Sequence, residues 1–108
     1  VGLAQPREHL LEDRAELYAA KIGRLPRSVK AQQQKRRWGS CTSRGDLYFN
    51  WRLAMAPPEI IDYIVVHELC HLVQADHSRR FWHHVEGILP DYKKRKKWLR
   101  ENGHKLDI

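Results

Sequence analysis

The sequence has little of what marks membrane proteins and disulfide-rich secreted domains. No apolar run approaches the roughly eighteen residues that a membrane-spanning helix needs. The first residues are polar and charged, unlike the apolar core of a signal peptide. Only two cysteines are present, Cys41 and Cys70, and so low a count favours reduced thiols over a disulfide framework. We therefore expect a cytoplasmic protein with no membrane segment.

The length and composition fit one folded domain. The chain has 108 residues, of which 42% are hydrophobic and 31% charged, as is usual for a globular protein. We expect a single domain over residues 1–108. Because the chain begins with Val1 rather than Met, we expect it to be a fragment or a processed form of a longer protein.

The net charge of +7 is unevenly distributed along the chain. Residues 24–52 carry eight basic side chains against one acidic one, and residues 91–108 carry seven against three. Residues 53–90 carry two basic side chains against five acidic ones. The acidic segment favours a divalent cation, whereas the basic segments favour anionic substrates or partners.

The hydrophobic periodicity predicts helices and short strands in separate parts of the chain. Helices are predicted over residues 7–22, 57–75, 78–90 and 91–101. Strands are predicted over residues 28–34 and 47–51, and Gly45-Asp46 indicates a hairpin or meander next to the second strand. Strands segregated from helices in this way indicate the α+β class.

The most informative segment is His67-Glu68-Leu69-Cys70-His71, within the helix predicted over residues 57–75. Two histidines four residues apart lie on one face of a helix, where both imidazoles can bind one metal ion. Glu68 points beside that position, where it can accept a proton from water that the metal polarises. This pattern is typical of metal-assisted hydrolysis.

A catalytic zinc site needs a third protein ligand, and His77 is the candidate. On a continuous helix, His77 would point about 240° away from His71, so the helix has to end between them. Asp76 and Ser78 are turn and cap residues. Gln74 stands where the long zincin pattern usually has a glycine. We expect one Zn²⁺, although three histidines alone do not strictly select zinc over other divalent ions.

Other residues carry weaker signals. Tyr63, His84 and Tyr92 are candidates for contacting a metal ligand or stabilising an oxyanion, although the commoner roles are a core aromatic for Tyr63 and a packed or surface residue for His84. Basic residues interleaved with tryptophan suit phosphate or nucleic acid binding. The candidate substrate-binding residues of this kind are Arg36, Arg37, Trp38 and Arg52. The dense basic run at residues 93–97 equally fits a solvated helix face.

Eight short motifs occur in one order along most of the chain. They are Arg37-Trp38-Gly39-Ser40-Cys41, Asn50-Trp51-Arg52-Leu53, Ala56-Pro57-Pro58, Asp62-Tyr63, His67-Glu68-Leu69-Cys70-His71, His77-Ser78, Phe81-Trp82 and Pro90-Asp91-Tyr92. In these motifs the chain resembles the YgjP-like metallopeptidase-domain family. The resemblance implies a minimal zincin-like domain, in which a small β-sheet packs on an active-site helix. It also implies that the three histidines bind zinc and that Glu68 is the general base.

The resemblance leaves the substrate open. The family is similar in motif to SprT and WLM zincin proteases, which act on DNA-bound proteins, and some relatives are described as pyrophosphatases acting on UTP. The first hypothesis is therefore a zinc-dependent metallopeptidase acting on peptides or proteins. The second is a nucleoside triphosphate pyrophosphatase that uses the same metal site, with arginines on the phosphates. The third is a metal-stabilised module that binds nucleic acid through the basic segments.

Overall fold

The computed structural model describes residues 9–32 and 37–106. Four α-helices are present: α1 (Leu10–Ile22), α2 (Pro58–Cys70), α3 (Arg79–Ile88) and α4 (Tyr92–Asn102). Three strands lie between α1 and α2: β1 (Ser28–Gln32), β2 (Gly39–Cys41) and β3 (Asp46–Asn50). Short 3-10 helices cover Trp51–Met55 and Gly103–Leu106. Within the described residues, no helix is both long and apolar enough to cross a membrane.

The three strands form one sheet in the order β1-β3-β2. β2 and β3 form the predicted hairpin, which turns at Gly45 with a positive φ of 89°, a conformation that favours glycine. β1 pairs with β3 in parallel, with Val29 opposite Leu47. The alternative of a meander was wrong, because β3 lies between the other two strands. The predicted α+β fold, with a small sheet and four helices, is confirmed.

α2 is the central element of the domain. It contacts α1, α3, α4 and β2, and most of its residues are buried. The core therefore forms around a mostly apolar helix, as expected for a helix that is covered on several sides. The largest of the fully buried side chains come from the sheet, the 3-10 helix that follows it, α2 and α3: Phe49, Phe81, Leu47, Leu53, Ile60 and Leu69.

A partly buried ion pair joins α1 to the N-terminal half of α2. Arg14 donates through Nε and Nη2 to the two carboxylate oxygens of Asp62, both at 2.8 Å. The hydroxyl of Tyr18 donates to Oδ2 of the same carboxylate, also at 2.8 Å. A bidentate guanidinium pair fixes orientation as well as distance. The helix that carries His67 and Glu68 is thus held against α1.

The predicted end of α2 was wrong. The sequence predicted a helix up to residue 75, whereas α2 ends at Cys70 and His71 is its C-cap. Beyond it, the amides of His71, Leu72 and Val73 each bond to the carbonyl three residues back, at 2.9–3.1 Å. These 3-10-type bonds tighten the last turn of a helix. They allow the chain to leave the helix axis without a glycine at position 74.

Candidate metal centre

The first two histidines and the glutamate occupy the last turn of α2 and its cap. His67 and Glu68 are helical residues, and His71 still has helical backbone angles, φ −68° and ψ −13°. His71 therefore stays one turn above His67, with ring centroids 5.2 Å apart. Although His71 is the cap residue, its side chain points in the direction that it would have in a longer helix.

His77 lies in the loop between α2 and α3 and returns toward α2. The Gln74 amide group donates to Asp76 Oδ1 at 2.7 Å within this loop. Ser78 then caps α3 by accepting from the Phe81 amide at 3.4 Å. The early end of α2 and the cap of α3 together fix where His77 can point.

The three imidazoles converge through their Nε2 atoms. Nε2 of His77 lies 3.0 Å from Nε2 of His71 and 3.2 Å from Nε2 of His67. Among the described residues, these three side chains form a group whose donor atoms all lie within 4.8 Å of one another. Tetrahedral zinc with nitrogen ligands at ~2.0–2.1 Å sets those nitrogens about 3.3 Å apart. The observed spacing therefore fits a single metal ion of that size.

The proton positions of His71 also suit metal binding. Nδ1 of His71 lies 3.1 Å from the Gln74 carbonyl oxygen, which can only accept, so Nδ1 carries the proton. The Nε2 of neutral His71 then has a free lone pair directed at the group. Burial lowers the pKa of His71, and it lowers the pKa of His67 to about 3 with smaller contributions from His71, His77 and Lys96. Both rings are thus held neutral, as metal ligands must be.

An aromatic wall supports the three rings from one side. The ring of Phe81 is fully buried and stacks on His71 at 4.5 Å, and it lies 5.1 Å from His67 and 5.0 Å from His77. Trp82 lies 5.6 Å from His67 on the same side. Packing of this kind restricts the rotamers of the imidazoles, which reduces the cost of ordering them around an ion.

Glu68 is buried beside the histidines, at the floor of a cleft of about 530 Å³. Only 8% of the residue is exposed, and burial raises the pKa of its carboxyl to about 7, against an opposing effect of Arg37. The cleft is lined on one side by the histidines and on the other by β2 and the loop after it. A group with a pKa near neutrality can both accept and release a proton under ordinary conditions.

A second cavity of about 230 Å³ shares lining residues with the cleft. Four residues line both cavities: Arg37, Gly39, His67 and Glu68. The cleft and the second cavity therefore adjoin at Glu68. Trp38 and Tyr63 line only the second cavity.

The approach of β2 to Glu68 is close at Gly39. A β-carbon at Gly39 would lie 3.0 Å from Cδ1 of Phe49, 3.1 Å from Cγ of Glu68 and 3.2 Å from the carbonyl oxygen of Tyr48. The adjoining segment is held by fully buried Asn50, whose amide donates to the Arg37 carbonyl at 3.3 Å. The sequence interpretation assigned no role to Gly39, Asn50 or Phe81, although all three belong to the motifs that carry the family resemblance.

The tyrosines predicted for the site are buried near it. The ring of Tyr63 is edge-on to His67 at 6.0 Å, and burial raises the pKa of Tyr63 to about 12. Tyr92 stacks on Trp82 at 5.3 Å, one ring further from the histidines. His84 is exposed on α3, and no ring contact joins it to the triad within the described part of the chain.

The candidate substrate-binding residues do not all lie at the metal centre. Arg37 is exposed at the cleft, and Trp38 is partly buried in the second cavity. The guanidinium of Arg52 instead lies 4.8 Å from the ring centroid of Trp51, on the 3-10 helix after β3. Arg36 lies outside the described residues.

Both cysteines are free thiols. Cys41 lines the cleft, whereas Cys70 is fully buried and its pKa is raised to about 12 by burial.

Comparison with solved structures shows the same fold in two archaeal enzymes. The metallopeptidase zymogen abylysin of Pyrococcus abyssi is 23% identical, with a TM-score of 0.73 over 84% of this chain and 93% of that one. The metallopeptidase zymogen jannalysin of Methanocaldococcus jannaschii is 14% identical, with a TM-score of 0.74 over 84% of this chain and 94% of that one. None of the curated proteins matches the sequence.

The family comparison agrees with the motifs and with the site. A family model described as "YgjP-like, metallopeptidase domain" matches residues 3–102, which is nearly the whole chain. Such a family implies a metal ion and peptide or protein substrates, and the histidine triad can bind such an ion. This chain is a member of the YgjP-like metallopeptidase-domain family.

Proposed function

We propose that this chain is a zinc-dependent metallopeptidase with a single zinc site made by His67, His71 and His77. Glu68 is the general base. The observation that carries the proposal is the convergence of three imidazoles beside the buried carboxyl of Glu68. Nε2 of His77 lies 3.0 Å from Nε2 of His71 and 3.2 Å from Nε2 of His67. Three protein ligands are typical of catalytic zinc sites, whereas structural sites usually have four and are rich in cysteine.

Bound zinc supplies Lewis-acid activation of water and of the scissile carbonyl. Glu68 accepts a proton from the attacking water and passes it to the nitrogen of the leaving amine. Its raised pKa, about 7, suits both transfers. Tyr63 and Arg37, which line the second cavity together with Glu68, are our candidates for orienting the peptide carbonyl; the more distant Tyr92 and the exposed His84 have weaker support. The residues thus divide into metal ligands, a proton carrier and orienting groups.

The shape of the cleft supports an extended peptide as substrate. β2 is at the edge of the described sheet, and all three of its residues line the cleft opposite Glu68. An edge strand offers backbone N–H and C=O groups to a further strand, which is a common way to bind peptides. The cleft and the second cavity, which both have Glu68 in their lining, give room to the residues before and after the scissile bond.

The alternatives have less support from the described residues. A nucleoside triphosphate pyrophosphatase would need several cations at the cleft, and of Arg37 and Arg52 only Arg37 lies there. A nucleic acid-binding module without chemistry would have no use for a buried glutamate between a histidine triad and a strand edge. We therefore retain peptide hydrolysis and include nucleotides in its test.

The test compares the zinc-loaded protein with its Glu68→Gln variant on an unfolded protein substrate. We expect zinc content to stay at one ion per chain and cleavage to fall by about 10²–10⁴-fold, the usual contribution of a general base. New amino termini are counted by mass spectrometry. Glu86→Gln is the matched control, because Glu86 is exposed on α3, and it should cleave like the wild type.

Two outcomes would contradict the proposal. Full cleavage by Glu68→Gln would remove the general base assigned here. Release of phosphate or pyrophosphate from nucleoside triphosphates, dependent on Glu68 and without peptide cleavage, would assign the site to nucleotide chemistry.

A further inference from the structure

A further pocket, distinct from the cleft and from the second cavity, lies between α4 and Trp82 of α3. This basic pocket has a volume of about 340 Å³ and is lined by two aromatic rings and four cationic side chains: Trp82, Tyr92, Lys93, Lys96, Lys97 and Arg100. The four cations follow the three- and four-residue spacing of one helix face. Three residues of the dense basic run at 93–97, and Arg100 beyond it, therefore line a concave site.

Among the described residues, no ion pair joins a carboxylate to any of the four cations of the basic pocket. On α4, the ion pair found among the described residues joins Arg95 to Asp91 at 2.9 Å, and Arg95 also donates to the Glu59 carbonyl at 3.1 Å. Arg95 is thus occupied with packing and lies outside the pocket lining. Four like charges around one cavity repel one another and favour an anionic ligand.

The basic pocket adjoins the metal centre through Trp82. The indole of Trp82 lies 5.6 Å from the His67 ring and 6.1 Å from the His77 ring. Nζ of Lys96 lies 4.2 Å from the centroid of the Trp82 ring. The two contacts put the Lys96 ammonium within about 10 Å of the His67 ring, a distance that an extended peptide covers in about three residues.

We propose that the basic pocket binds acidic side chains of the peptide substrate, a few residues from the bond that is cleaved. This proposal rests on the proposed peptidase function and specifies its substrate class. Flexible lysine ammonium groups and one arginine suit several carboxylates at variable positions. The substrate is then a peptide with a cluster of Asp or Glu near the scissile bond.

Single-stranded nucleic acid fits the pocket less well. Such binding usually combines a basic groove with aromatic faces on which bases stack. Here the rings of Trp82 and Tyr92 stack on each other at 5.3 Å and 18°, and Lys96 lies over Trp82. The pocket thus offers positive charge, while its rings are engaged with each other and with a lysine.

The experiment measures binding of two labelled peptides to the zinc-loaded Glu68→Gln chain by fluorescence anisotropy. One peptide carries three Asp or Glu residues, and its partner carries Asn or Gln at the same places. We expect the acidic peptide to bind about tenfold more tightly, with a difference that shrinks as salt rises. Lys93→Gln with Lys97→Gln should reduce the preference about threefold per removed charge.

The control variant combines Lys30→Gln and Lys94→Gln, which removes two exposed charges that do not line the pocket. It should keep the preference within twofold. Equal losses in both double variants, or equal binding of both peptides, would overturn the proposal. A single-stranded oligonucleotide that binds more tightly than the acidic peptide, and weakens only in the pocket variant, would also overturn it.

Cleavage by the wild-type chain is measured separately on the same peptides. Cleavage without an acidic preference overturns only the acidic subsite. An acidic preference without cleavage overturns only the proposed peptidase function. The two proposals therefore fail in different measurements.

Discussion

Gly39 on β2 approaches Glu68 so closely that a β-carbon at position 39 would lie 3.1 Å from Cγ of the glutamate. The same β-carbon would lie 3.2 Å from the Tyr48 carbonyl oxygen, which belongs to the neighbouring strand. The strand that lines the cleft can therefore reach the buried carboxyl only where it has no side chain. This contact couples the sheet to the site without a hydrogen bond.

Gly39→Ala should impair activity more than folding. The added methyl group has to displace either Glu68 or β3, and overpacking of this kind costs about 1–3 kcal/mol. We expect kcat to fall at least tenfold while zinc content is kept, because no ligand is touched. Steady-state kinetics and thermal unfolding measure the two effects.

Gly87→Ala is the matched control for that variant. No atom lies within 4 Å of a β-carbon at Gly87, which is inside α3. Alanine should there stabilise the helix by about 0.5–1 kcal/mol and leave activity unchanged. Wild-type activity in Gly39→Ala would show that the close approach to Glu68 has no role.

Zinc binding should be linked to folding through the triad. A ligand present at a hundred times its Kd stabilises the native state by about 2.7 kcal/mol. We expect the melting temperature of the wild type to rise with added zinc and to fall with a chelator, and His77→Ala to lose this response. His83→Ala, an exposed histidine on α3, should keep it. An unchanged zinc response in His77→Ala would remove that residue from the ligands.

The link between α1 and α2 should be visible as a coupling energy. Asp62 accepts three hydrogen bonds at 2.8 Å from Arg14 and Tyr18, two of them from the guanidinium. Asp62→Ala should lower the free energy of unfolding by about 1–3 kcal/mol, since hydrogen bonds to a charged group are lost. In a double-mutant cycle with Arg14→Ala, we expect the second substitution to cost little once the first is present. Additive losses in urea unfolding would contradict the pairing.

Stability should depend on acid through Asp46. Its buried carboxylate accepts from Ser28 Oγ at 2.7 Å and from Arg27 Nε at 2.9 Å, and these partners hold the pKa of Asp46 below its ordinary value. A depressed native pKa contributes stability that is present above the unfolded-state pKa and is lost as the pH falls through the native one. The stability difference between the wild type and Asp46→Asn should therefore narrow as the pH is lowered from 6 to 3. A constant difference would contradict the assignment.

The metal-binding motif could be predicted from the sequence because its geometry is local. Two histidines four residues apart share a helix face whatever surrounds them, and the glutamate between them points to one side. The same periodicity identified the four helices and the hairpin at Gly45. These features depend on backbone dihedral preferences and on spacing within a few residues, which the sequence displays directly.

Tertiary packing decided what the motif alone leaves open. Apolar residues continue past Cys70, so periodicity extended α2 to residue 75, and only the turn bonds and the Ser78 cap bring His77 to His71. The order of the strands placed β2 and Gly39 beside Glu68, and the packing of α4 on α2 and of Tyr92 on Trp82 formed the basic pocket. Sequence by itself was enough to predict the type of site and its candidate ligands, because these depend on residues that are close together in the chain. The position of His77, the cleft beside β2 and the basic pocket depend on contacts between residues that are distant in the chain, and only the folded structure defines them.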